Sequence, residues 1–276
     1  MGQYSAIQWL FFFYFYCFFG WIFESTFVSV KSRKFVNRGF MRGPFLPIYG
    51  SGALMMLVVS APFQDNIPLT YLAGCVGATL LEYVTGTVTE KLFQVRYWDY
   101  SGKFMNFQGQ ICLSSTIAWG CLTILMTEVI HSPIAELVNG MPSGLLTGLT
   151  LVLTVYMLTD FGLSFRAALD MRDVLDRLEQ AKAEMEHMQK RMDVLIAVAD
   201  QTLNQEREEL HKKFRLLHER RRQLGNLSDF YRRRLLLDNP GMISSRFKGA
   251  MEELKTSARE YVKEHMGEYK KKGRKD

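Results

Sequence analysis

The chain has 276 residues, 48% of them hydrophobic, with a formal net charge of +6 and a mean hydropathy near zero. Those averages describe neither half of it. Residues 1–165 carry eight Lys/Arg and eight Asp/Glu while the remainder carries 26 and 20, so the whole positive excess lies after residue 165, and the two parts suit different solvents.

Five apolar segments reach about the 20 residues that a helix needs to cross a bilayer, at 7–30, 44–62, 70–93, 109–130 and 143–165. The first has no basic flank and no small-residue cleavage site, so it reads as a retained span rather than a signal peptide. Basic residues set the orientation. Lys31, Arg33, Lys34, Arg38 and Arg42 lie between spans one and two, Lys91, Arg96 and Lys103 between three and four, and Arg166 and Arg172 follow span five. The other two connections hold no Lys or Arg. The expectation is an all-α membrane bundle of about five helices in a cell membrane, its N-terminus outside and its C-terminal region in the cytoplasm.

The second span opens on RGFMRGPFLPIYGSG, residues 38–52. Pro44 and Pro47 remove backbone donors and bend the chain, and Gly50 belongs to the same structural kink. Irregular backbone at membrane depth is tolerated where protein or water covers it, so the stretch is expected to line an internal crevice. A kinked packing helix with Arg38 and Arg42 as interfacial anchors is the plain alternative.

Acidic residues map to the same cytoplasmic half. Glu24 ends span one, Glu82 and Glu90 share one face of span three, Asp99 sits in the following loop, and Asp160 lies near the end of span five. Arg42, Tyr49, Asn106, Gln108 and Gln110 lie at similar depth. Ionisable groups in spans are costly unless paired or wet, so Glu24, Arg42, Tyr49, Glu82, Glu90, Asp99, Asn106, Gln110 and Asp160 are the candidate substrate or ion site. Arg42 is expected to pair with Glu24 or Glu82, and structural ion pairs that lock helices together are the alternative. Span one with its loop and RGPFLPIYG, and span three with its loop and GQICLSSTIAWG, form a loose internal repeat: a Gly-then-Glu helix, a basic loop, then an aromatic-Gly pair. Transporters often place sites at repeat interfaces.

Four cysteines, at 17, 75, 112 and 121, lie in apolar runs without any CxxC, and five histidines are scattered. They read as buried reduced thiols, with no metal and no cofactor expected.

From Ala167 the apolar residues at 171, 174, 178, 181, 185, 188, 192, 195 and 199 alternate in steps of three and four, a heptad seam, and a second register runs Ile196, Leu203, Leu210, Leu217, Leu224. This predicts a cytoplasmic coiled-coil stalk over 166–224, a homodimer contact through 167–224 with an intramolecular hairpin as alternative, and a helical, basic tail over 225–276. Its basic runs suit anionic headgroups, at about 1 kcal/mol per residue near the surface, better than nucleic acid.

FGWIFES, RGFMRGPFLPIYGSG, LEYVTG, TEKLF, WDYS and NFQGQICLSSTIAWG, in that order over residues 10–125, resemble the ABC-transporter membrane protein family of CmpB type, also labelled type IV. The resemblance implies a permease-like component. The family's Asn-x-x-Gly-Arg reads Asn106-Phe107-Gln108-Gly109-Gln110 here, which implies that one counter-charge is lost. The chain contains no GxxxxGK[ST], so a separate ATPase subunit would have to supply ATP hydrolysis. Two other classes stay open: a scaffold or sensor acting through the coiled coil, and a membrane-embedded enzyme on a lipid-linked substrate, with Glu24 or Glu82 as acid or base and Asp99, Trp98 and Tyr100 at a headgroup. No readable catalytic set favours the enzyme.

Overall fold

The computed structural model describes residues 4–33, 35–197, 204–225 and 230–272. The described chain is helical, and its sole β-type pairing is an isolated bridge between Phe107 and Ile111. By contacts it divides into two units. The first holds Met1–Leu92, Arg96–Arg166 and Asp238–Met242; the second holds Phe93–Val95, Ala167–Leu237 and Ile243–Asp276.

In the first unit, α1 (Ala6–Ser32) starts at a reciprocal cap, in which Gln8 N–H donates to Ser5 Oγ and Ser5 N–H to Gln8 Oε1. It ends at Arg33 in the left-handed region. The chain then bends through residues 39–44, and α2 (Pro47–Ser60) begins with Pro47 as its first residue, where a missing N–H costs nothing. The break in the sequence therefore falls before α2, not within it. A 3-10 turn (Ala61–Phe63) extends the apolar helix to 17 residues, about 25 Å at 1.5 Å per residue. Then follow α3 (Ile67–Phe93), α4 (Leu113–Leu125), a π-turn (Met126–Ile130), α5 (His131–Asn139) and the 55-residue α6 (Ser143–Ala197).

Four helical stretches are long and apolar enough to cross a membrane: Ala6–Ser32, Ile67–Phe93, Leu113–Asn139 and Ser143–Val194. Large apolar side chains stand exposed along them, among them Phe23 at 65%, Val76 at 70% and Val152 at 68%. Water would penalise such faces, whereas a bilayer satisfies them. Helix pairs close on small residues. Gly50 lies against Cys17 and the Phe13 backbone, Gly20 against Tyr49, and Gly74 and Gly120 bring α3 and α4 together through Thr123, Cys75 and Tyr71. All four cysteines are free, Cys17 and Cys112 are buried, and Cys121 is exposed, so burial of every thiol does not hold.

The second unit contains the later part of α6 with α7 (Asn204–Gly225), α8 (Phe230–Asp238) and α9 (Lys248–Lys272). The first turns of the heptad seam, Met171, Val174, Leu178 and Ala181, are buried within one chain. On α9, Ala250, Met251, Leu254 and Ala258 are buried at helical spacing. Arg221 of α7 pairs with Glu253, Arg233 of α8 lies 4.1 Å over the Tyr261 ring, and Gly249 comes close to Lys182 of α6. Intramolecular packing thus covers the front of the seam. Leu203, together with the side chains of Leu195, Ile196, Ala199 and Leu224, lies outside the described residues.

Candidate functional site

The five acidic candidates of the first unit, Glu24, Glu82, Glu90, Asp99 and Asp160, fall into three groups. The central one joins Glu24 and Glu82. Arg38 Nε approaches Glu24 Oε1 at 3.4 Å, and the Tyr49 hydroxyl donates to Glu24 Oε2 at 2.8 Å. Arg38 is itself fixed. Its N–H donates to Ser25 Oγ at 3.1 Å, and its Nη1 donates to Asn239 Oδ1 at 3.1 Å and Asp238 O at 3.4 Å. Asn239, buried some 200 residues further along the chain, returns a bond from Nδ2 to Gly39 O at 3.2 Å.

Glu82 is 5% exposed. Its Oε1 accepts from the Tyr100 hydroxyl at 3.0 Å and its Oε2 from Trp119 Nε1 at 2.9 Å. Tyr100 lies within electrostatic reach of Glu24 and Tyr49, so the two carboxylates belong to one acidic and aromatic cluster. Burial, then the Glu82 carboxylate, push the Tyr100 phenol above its ordinary range, which keeps it a donor at physiological pH.

The two halves of the cluster follow one pattern. Phe13, Cys17 and Glu24 on α1 have the same spacing as Tyr71, Cys75 and Glu82 on α3, and Tyr49-Gly50 on α2 matches Trp119-Gly120 on α4. In each pair the aromatic residue donates to the glutamate, while the following glycine packs over the cysteine seven residues before that glutamate. The other glutamate oxygen faces a donor from the intervening loop, Arg38 in the first half and Tyr100 in the second. The loose repeat in the sequence is a repeat of contacts.

The second group is the loop after α3. Arg96 meets Glu90 Oε1 at 2.7 Å and Asp99 Oδ1 at 3.8 Å, and Gln110 Nε2 donates to Glu90 Oε2 at 2.7 Å. The counter-charge that the resemblance implies for position 110 is supplied to Glu90 by Arg96, and buried Gln110 packs against Gly86. Exposed Asn106 accepts from Gly109 N–H and donates to Ser101 O and Lys103 O. Gln108 accepts a bond from Tyr83 at 3.3 Å. Gly109 has φ +69°, and a Cβ there would fall 2.6 Å from Ser101 Oγ and 2.8 Å from Arg96 Nη1. Gly109→Ala is therefore expected to destabilise the protein by about 1–3 kcal/mol. Gly102→Ala, in open space, is expected to be near neutral when the two are compared by thermal unfolding in detergent.

The third group centres on buried Asp160. Its carboxylate accepts from Arg42 N–H at 3.2 Å and Gly43 N–H at 2.7 Å, and Arg42 Nη2 donates to Leu163 O at 3.3 Å. The guanidinium at Glu24 is that of Arg38, and the two Glu82 oxygens are held by neutral donors. Pairing of Arg42 with Glu24 or Glu82 is replaced by these contacts.

Glu24, Tyr49 and Glu82 are thus brought together, while Glu90, Asp99, Asn106 and Gln110 form the loop network and Arg42 and Asp160 a separate brace. Sequence reasoning placed Trp119-Gly120 in the repeat without making Trp119 a site residue, and it missed Asn239, for which no local pattern exists. It also missed His131. Its Nδ1 lies 2.8 Å from Tyr16 Oη and its Nε2 3.2 Å from Tyr4 Oη, next to the π-turn and toward the other end of α1 from Glu24.

The pattern of the family described as "Putative ABC-transporter type IV" matches residues 11–165, more than half of the chain. The chain belongs to this family. Membership and the long apolar helices together make it a membrane protein of the ABC-transporter type, a transport component. The matched residues contain every member of the three acidic groups except Asn239 and Asp238. No curated protein and no solved structure matches the chain.

Proposed function

We propose that the chain is the permease-like subunit of a transporter in the cell membrane. Five spans, with α2 as the short one, place the N-terminus outside and the C-terminal helices in the cytoplasm, as the distribution of basic loops indicates. The Glu24–Tyr49–Tyr100–Glu82 cluster is the substrate or ion site, reached from the cytoplasmic side. The single observation that carries this reading is the pair of matched carboxylates, each held by an aromatic donor in its own helix pair and linked through Tyr100. Carboxylates in apolar helices are expensive, and a fold that needed only packing would not place a buried Glu82 and a half-buried Glu24 in matched positions of two repeats. A separate ATPase subunit supplies the energy.

Cells lacking the gene, complemented with the wild type or with Glu82→Gln, provide the test by whole-cell metabolite profiling. Glu82→Gln at wild-type membrane level is expected to reproduce the profile of the deletion. Full complementation by Glu82→Gln and Glu24→Gln alike would overturn the reading and favour a scaffold acting through the cytoplasmic helices.

A further inference from the structure

The two matched halves differ in one respect that bears on what the site holds. In the first half the loop donor to glutamate is the guanidinium of Arg38, so the carboxylate and its counter-charge both come from the protein. In the second half the same position is taken by the phenol of Tyr100. The helix donors, Tyr49 and Trp119, are both neutral. The second half therefore reproduces the first with one positive charge removed.

We propose that Glu82 binds one exchangeable positive charge, a proton or a small monovalent cation, and that Glu24 is its internally neutralised twin. The inference rests on the reading of this cluster as the working site and names the class of its ligand. The groups facing Glu82 are few. Tyr100 comes from the loop, Trp119 and Ser115 from α4, and beyond Tyr100 lie Cys112, Tyr49 and Glu24, the last paired with Arg38. Glu90, two turns along the same helix, is matched by Arg96. Among the described residues no cation is paired with Glu82. A carboxylate with 5% exposure and neutral donors alone lacks its electrostatic complement, and a proton or a small dehydrated cation is what a tightly packed site can admit.

The full chain in lipid nanodiscs tests this without knowledge of the substrate. Infrared spectra read the carbonyl stretch of a protonated carboxyl at neutral pH, and radiolabelled sodium and rubidium read saturable cation binding. If the charge is a proton, the carboxyl band is present in the wild type and in Glu24→Gln and absent in Glu82→Gln. If it is a cation, the wild type binds about one equivalent, which Glu82→Gln loses. Tyr100→Arg supplies the missing charge from within and is expected to abolish whichever signal is found, with Glu82 still in place. Glu82→Gln is isosteric, and a thermal melt verifies that both variants are folded. Absence of both signals in the wild type, or a signal that survives Glu82→Gln, overturns the inference. Flux into liposomes separates it from the transport reading: charge binding without flux rejects transport alone, and flux without a Glu82-dependent charge signal rejects this inference alone.

Discussion

Gly50→Val is expected to destabilise the membrane unit by about 3 kcal/mol, the upper end of the usual cost of overpacking. The hydrogen of Gly50 lies where α1 and α2 meet, and even a Cβ would fall 2.6 Å from the Phe13 carbonyl oxygen and closer still to Cys17 Sγ. The sulfur belongs to a side chain and can move, but the carbonyl belongs to the backbone of a long helix and cannot without separating the helices. That separation would also lift Tyr49 off Gly20 and away from Glu24. Gly52, one turn-half away on α2, has nothing within 4 Å of its Cβ position. Gly52→Ala is expected to lie within about 0.5 kcal/mol of wild type. Thermal unfolding in detergent compares them, and a Gly50→Val melt that coincides with that of Gly52→Ala would mean that α1 and α2 do not cross as described.

Arg38→Gln is expected to destabilise by about 1–3 kcal/mol, below the full penalty for breaking a buried pair because Arg38 and Glu24 retain 17% and 26% side-chain exposure. The cost has two sources. Glu24 keeps its charge with only Tyr49 to hold it, and Asn239 and Asp238 lose their shared donor. Two further variants separate these. Glu24→Gln in the Arg38→Gln background removes the stranded charge and is expected to recover part of the loss. Asn239→Ala alone is expected to cost about 1 kcal/mol, and combined with Arg38→Gln to cost less than the sum, since the two share bonds. Strict additivity of Arg38→Gln and Asn239→Ala in chemical or thermal unfolding would sever Asn239 from the Glu24 pair.

The family, the apolar helices and the acidic candidates were legible in the sequence for definite reasons. A bilayer demands long apolar runs, so their length shows in composition alone. A carboxylate inside such a run carries a cost that makes it conspicuous without knowledge of its partner. The repeat was visible as well, because a Gly-then-Glu helix and an aromatic-Gly pair are local spacings along single helices; the match of Cys17 with Cys75 came only from the contacts.

What joins those spacings is not local. Arg38 and Arg42 lie four residues apart in one irregular loop, and nothing in their order says which faces Glu24; the bends at residues 39–44 turn Arg38 toward α1 and leave Arg42 to Leu163. The same holds for the hold that Asn239 has on Arg38, a contact across about 200 residues that only chain folding creates. The heptad seam is an apolar stripe in the sequence, but a stripe does not name its partner. In the tertiary structure packing within the same chain buries its first turns. Sequence by itself thus determined which segments are apolar enough to cross a bilayer and which ionisable and aromatic groups those segments carry. Tertiary structure decided which charge meets which, because irregular loops and long-range contacts, unlike helix periodicity, carry no repeating signal along the chain.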